Sequence, residues 1–142
     1  MSSLIFVNLP VADLDRSVAV YEAIGGRKDP RFSDATAACM VLSETIHVML
    51  LTHDKYRQFT AKEIADAHRT SAVLLCVSKD SRAAVDDTVA KAVSAGAREL
   101  EPPNDYGFMY GRSFDDPDGH AWQIMWMDVD AFLKTTGRQA AA

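Results

Sequence analysis

Four histidines, two thiols, a few side-chain amides and a cluster of tyrosines are the groups in this chain that could do chemistry. His47 stands in the apolar run IHVMLLT, two residues before Met49, so a strand there presents both side chains on one face. An imidazole so placed could act as a general acid or base near neutral pH. It could equally be a hydrogen-bonded packing residue. His53 and His68 fall in a polar stretch and read as solvated, and His120 follows a turn on the face opposite Gln123. A metal site drawn from His47, His53 and His68 would rest on an arbitrary spacing. Cys39 and Cys76 lie inside the runs AACMVL and AVLLCV, the setting of buried reduced thiols, with no adjacent His or basic cluster to activate them. The segment NDYGFMYG, 104–111, is aromatic and flanked by glycine. Tyr106 or Tyr110 could reach a pocket from it, or Phe108 and Tyr110 could be core or dimer contacts.

The elements that must position these groups come in two copies. Residues 4–11 read as a strand, Asp13 as an N-cap, and Leu14, Val18 and Tyr21 as one face of a helix closed by Gly25. Residues 72–78 read as a second such strand, with Asp80 or Ser81 as cap and Val85, Val89 and Ala92 on one helix face ending at Gly96. The two sets, continued by Arg27 and Arg98, correspond at one constant offset. Three strands are expected after each helix: 27–32, 36–42 and 45–52, then 97–102, 107–114 and 120–127. The pattern predicts two βαβββ modules, about 4–52 and 71–127. Asp116-Pro117-Asp118-Gly119 has the residues of a type I turn and closes the last hairpin. Between the modules, 53–70 is polar, and Thr60 to Glu63 has capping-box spacing, so a connecting helix is expected there, as a solvated linker or over a pocket mouth. A short helix over 128–136 and a frayed tail over 137–142 complete a single domain, 1–136 plus tail.

With 142 residues, 48% of them hydrophobic and 25% charged, the chain can build one core without disulfides or metals. A net charge of -5 with scattered cations offers no footprint for nucleic acid. Neither a secretory leader nor an apolar run of membrane-spanning length is apparent, so no membrane partner and a cytoplasmic location are expected.

Two βαβββ modules, the opening string VADLDRSVAVYEAIGG and the closing string DDPDGHAWQIMW together resemble the vicinal-oxygen-chelate superfamily, the glyoxalase, bleomycin-resistance and extradiol-dioxygenase type. The resemblance covers nearly the whole chain. It implies an α+β fold in which the modules form a curled, open-barrel mixed sheet with helices outside, a concave face that holds the ligand, and a homodimer. Metal-using members take one ligand from the first and one from the last strand of each module, commonly His and Glu. By that resemblance the positions are Phe6, Met49, Ala72 and Gln123 here, which leaves one weak oxygen donor. No cofactor is therefore expected, a divalent metal being the less favoured alternative.

Strand alternation lists the side chains for the concave cup: Phe6 and Asn8; Thr45, His47, Met49 and Leu51; Ala72, Leu74 and Cys76; Ala121, Gln123, Met125 and Met127. Trp122 and Trp126 fall toward the helices. The leading expectation is a metal-independent binder of a small, largely apolar organic molecule, contacted by Phe6, Asn8, His47, Met49, Tyr110, Gln123 and Met125. The alternative is a lyase, isomerase or dioxygenase in which His47, with Gln123 or Glu44, moves a proton. A third reading is a structural or regulatory partner with a vestigial cup.

Overall fold

The computed structural model describes residues 2–138. The first module runs β1 (Ile5–Val11), α1 (Leu14–Ala23), β2 (Arg27–Asp29), β3 (Ala37–Val41) and β4 (Ile46–Thr52). A four-residue helix α2 (His53–Tyr56) and a long connection lead to the second: β5 (Leu75–Ser78), α3 (Arg82–Ser94), β6 (Asn104–Asp105), β7 (Met109–Asp115) and β8 (Ala121–Met127), followed by α4 (Val129–Thr136). Each module is one four-stranded sheet of the same order, β1-β4-β3-β2 and β5-β8-β7-β6. In both, the first strand pairs in parallel with the last and the remaining pairs are antiparallel. This is the expected α+β architecture of two βαβββ modules with open sheets.

Local chemistry accounts for the elements. The Asp13 carboxylate accepts from the Arg16 amide at 3.1 Å to start α1, and Ser81, the alternative that wins over Asp80, accepts from Ala84 at 3.1 Å to start α3. Both helices end on a glycine with positive φ, Gly25 and Gly96. Their apolar stripes and one face of each sheet make one core, in which Val20, Tyr21, Met40, Val48, Leu50, Val85, Val89, Phe114, Trp122 and Ile124 are fully buried. Both Trp122 and Trp126 face this helix layer as expected.

Four boundaries differ from the sequence reading, the first being the strand expected over 72–78, which begins only at Leu75 and leaves Ala72 and Leu74 outside it. Only Arg27–Asp29 of the expected strand 27–32 is extended, because Asp29 caps a 3₁₀ turn, Pro30–Phe32, through the Arg31 amide at 3.1 Å. In place of a strand at 97–102 there is a single bridge, Arg98 with Asp115, and pairing resumes only at Asn104, after two prolines that cannot donate. The connecting helix forms at His53, capped by Thr52, and not at Thr60, whose hydroxyl accepts from the Lys62 amide without a helix following. At the far end, α4 stops on Gly137, and residues 139–142 of the expected tail lie outside the described part.

The modules are stitched by the Asp116-to-Gly119 turn. Asp118 accepts from the Ala12 amide at 2.8 Å and from Ser17 Oγ at 3.2 Å, while His120 Nε2 donates to the Pro10 carbonyl at 2.8 Å. Deeper in, Trp122 Nε1 donates to Tyr21 Oη at 2.9 Å, and Tyr21 donates to Asp116 Oδ2 at 2.7 Å. Gly119, at φ +87°, sits so close under the connection that a Cβ would meet the His68 amide nitrogen at 2.7 Å. Among the described residues no helix is long and apolar enough to cross a membrane.

Candidate functional site

The face of each sheet turned away from the helices carries most of the anticipated site residues. In β1 and β4, Leu9, Val11, Val48 and Leu50 turn to the core, which leaves Phe6, Asn8, His47 and Met49 on the other side. Phe6 and His47 are direct partners in the parallel register, and their rings stack at 4.6 Å with 22° between planes. Phe6 remains half exposed at 49%. His47 Nδ1 is buried with no hydrogen-bond partner. Among the described residues no carboxylate orients this imidazole and no side-chain hydrogen bond holds it in place as a packing residue.

In the second module, Cys76 lies beside Gln123, and Met125 beside Ser78 and Gly111, all on the face opposite Trp122 and Ile124. Gly111 has no side chain to fill the space over Met125. The result is a cavity of about 400 Å³ whose lining includes Cys76, Asn104, Tyr106, Met109, Ser113, Gln123 and Met125. Gln123 is exposed and makes no side-chain hydrogen bond to the described residues. Cys39 is buried as expected, whereas Cys76 is exposed on the concave face, a correction to the sequence reading that follows from its place on an open sheet edge; partial desolvation still raises both thiols. Neither is set up as a nucleophile.

Tyr110 does not reach the cup. It pairs with Trp126 across the hairpin, on the helix side, and donates to Asp86 of α3 at 2.6 Å. The other residues do not line one common space within the chain. Gln123 and Met125 border the cavity above, Asn8 borders a separate one of about 480 Å³ between β1 and residues 65–75, and Phe6, His47 and Met49 line neither.

The family's four metal positions offer a phenyl ring, a thioether, a methyl group and an amide, a donor set that does not fit a divalent ion. Ala72 is also outside any strand. Among the described residues no three His, Cys, Asp or Glu side chains cluster as a metal site.

Two features escaped the sequence reading. His53 and His68, read as solvated, border an open cavity of about 820 Å³ together with His120, Arg16 and Arg57, and away from His47, with His68 itself exposed as read. The signal would have been the turn glycine, which lets the connection close over the hairpin. The second is a charged network behind the sheet of module two. Arg112 donates in bidentate fashion to Glu99 at 2.8 and 2.9 Å and to Asp86 at 2.9 Å, and the Tyr110 hydroxyl, then Arg112, hold the Asp86 carboxyl below its usual range. Beside it, Arg82 grips Asp105 and pulls that carboxyl down to about 2. Nothing in the spacing of these charges announces the pairing.

With the geometry established, comparison with known proteins assigns the family. Residues 3–124 match the family model described as the Glyoxalase/Bleomycin resistance protein/Dioxygenase superfamily, and the chain belongs to that superfamily. Among solved structures it is similar to a hypothetical protein from S. aureus, at TM-score 0.75 and 22% identity over 89% of this chain and 95% of that one. It is also similar to a glyoxalase/bleomycin resistance protein/dioxygenase family enzyme from Burkholderia phytofirmans PsJN, at TM-score 0.74 and 21% identity over 89% and 100%. A fosfomycin resistance protein, FosX from Mesorhizobium loti, aligns at TM-score 0.68 and 16% identity over 94% and 98%. At these identities the likeness speaks to the fold alone. No curated protein matches the sequence significantly.

Proposed function

We propose that this protein binds a small, largely apolar organic molecule on its concave face, without the superfamily's metal centre. The observation that carries the reading is the second-module cavity, about 400 Å³, floored by thioethers and a thiol with the unengaged amide of Gln123 in its wall. Such a lining desolvates an apolar body, adapts to its shape through Met109 and Met125, and orients it by one or two hydrogen bonds. Among the described residues His47 has no orienting carboxylate, and the metal positions carry neither imidazole nor carboxylate, so binding is favoured over the lyase, isomerase or dioxygenase alternative.

A second copy of the chain completes the cup in this reading. Strands β1 and β5 are unpaired sheet edges, and beside them Leu4, Ile5, Phe6, Val73 and Leu74 are all about half exposed. Apolar edges of this kind are ordinarily covered. Two free cysteines fit a reducing compartment, the cytoplasm, and the net charge of -5 argues against nucleic acid.

The test is a thermal-shift screen of neutral aromatic and aliphatic compounds, read beside sedimentation of the free protein. Hits that raise the melting temperature of the native chain but not of Gln123→Leu or Met125→Ala support the reading, as does a dimer that Ile5→Lys dissociates. A screen in which no compound distinguishes these variants from the native protein contradicts it.

A further inference from the structure

We infer that Arg82, on α3 and outside the cup, is a positioning residue for the second-module cavity: it latches the turn at Asn104 to Gly107, and with it Tyr106, against the cavity's edge. This inference rests on the reading of that cavity as the ligand site.

The turn has little else to hold it. β6 is two residues long, follows Pro102 and Pro103, and pairs through Asn104 with Gly111 and Asp105 with Tyr110, with one further backbone bond from the Tyr106 amide to the Met109 carbonyl at 2.8 Å. A ladder so short is marginal by itself. Side chains alternate along it: Asn104 and Tyr106 border the cavity, while Asp105 between them reaches Arg82. There the guanidinium makes two parallel bonds to the carboxylate, both 2.8 Å, and a third to the Gly107 carbonyl at 2.9 Å. Asp105 Oδ1 also accepts from the Gly107 amide at 2.9 Å, which closes the turn on itself.

An exposed ion pair is ordinarily weak, and these side chains are 39% and 53% exposed. What distinguishes this one is where the guanidinium lies. Its carbon is 5.1 Å from the centre of the Tyr110 ring and 5.3 Å from that of Trp126. Two aromatic contacts and three hydrogen bonds fix one side-chain geometry, and a planar fork satisfies all of them where an ammonium would not. Tyr106 is thereby held at the cavity while remaining 59% exposed, its ring stacked on Phe108 at 6.3 Å. Arg82 reaches the ligand only through the turn, and of the two turn residues at the cavity, Asn104 and Tyr106, the larger Tyr106 carries the effect on binding.

The experiment is a double-mutant cycle with N-phenylnaphthylamine, a neutral aromatic probe whose fluorescence rises in apolar cavities, combined with amide hydrogen exchange. Arg82→Ala is expected to weaken the probe about tenfold and Arg82→Lys by less, while Arg82→Ala combined with Tyr106→Ala is no weaker than Tyr106→Ala alone. Exchange at the Tyr106 and Gly107 amides rises in Arg82→Ala, and exchange in α1 does not change. Additive losses in the cycle, or unchanged exchange at Tyr106 and Gly107, overturn the assignment. If the native protein does not take up the probe, the cup reading fails for that ligand class and exchange alone decides the latch. Arg82→Lys serves for both readouts where Arg82→Ala does not fold.

Discussion

The two modules share one topology and are held together by different forces. In the first, the outer hairpin is secured by apolar burial: Ala37, Ala38, Cys39 and Met40 of β3 are all buried, and among the described residues the only ion pair near it is the local one of Asp29 with Arg31. In the second, the outer strands are pinned from behind by Arg82 and Arg112 reaching Asp105, Asp86 and Glu99. The difference carries over to the concave face. Module one presents an open apolar surface with stacked Phe6 and His47, and module two a cavity with a turn over its edge. A duplicated backbone thus left the helix side of both sheets in one shared core and let the other side diverge.

Truncation on each side measures that contrast. Met40→Ala, at a site with no exposure, should cost about 2–5 kcal/mol in urea unfolding. At the seam, Tyr21→Phe strands Trp122 Nε1 and Asp116 Oδ2 inside the core and should cost about 1–3 kcal/mol, with both modules melting together. Two separate transitions would show that the modules do not share a core. Arg112→Met should cost about 1 kcal/mol and, unlike the other two, its penalty should shrink as salt rises. A salt-independent loss as large as that of Met40→Ala would erase the distinction between the modules.

The smallest effect is a pH dependence. Burial is the main cause that raises the Asp116 carboxyl, against the bonds it accepts from Tyr21 and from the amides of Asp118 and His120. A carboxyl raised in the fold contributes its stability below the ordinary carboxylate value and loses it as pH rises through the raised one. Asp29 and Asp105, held down to about 2, act in the opposite sense and only as pH falls below the ordinary range. Subtracting the stability curve of Asp116→Asn from that of the native protein should therefore give a difference that declines with rising pH above the ordinary carboxylate value. A flat difference would mean that Asp116 is not desolvated.

Much of the fold was legible because it rests on periodicity. The repeat from Leu14 to Gly25 and from Val85 to Gly96, with the period-two alternation, put Phe6, Asn8, His47, Met49, Gln123 and Met125 on the correct face. Tyr110 was also within reach of that logic. Counting back through the Asp116-to-Gly119 turn pairs Phe114 with Trp122 and Tyr110 with Trp126, the side already assigned to the helices. What periodicity could not supply was the third dimension: which acids Arg82 and Arg112 would meet, how the connection folds over Gly119, and that the cup residues of the two modules border different spaces in one chain. Those depend on contacts between residues far apart in sequence, such as Tyr21 with Asp116.

The claim at the centre of this account is that the concave face works without the superfamily's metal. Elemental analysis of protein purified without chelators, joined to Ni, Zn, Fe and Mn titrations read by thermal shift, tests it most directly. The account predicts no stoichiometric metal and no ion that raises the melting temperature. One tightly held equivalent per chain, lost on replacing Gln123, would contradict it.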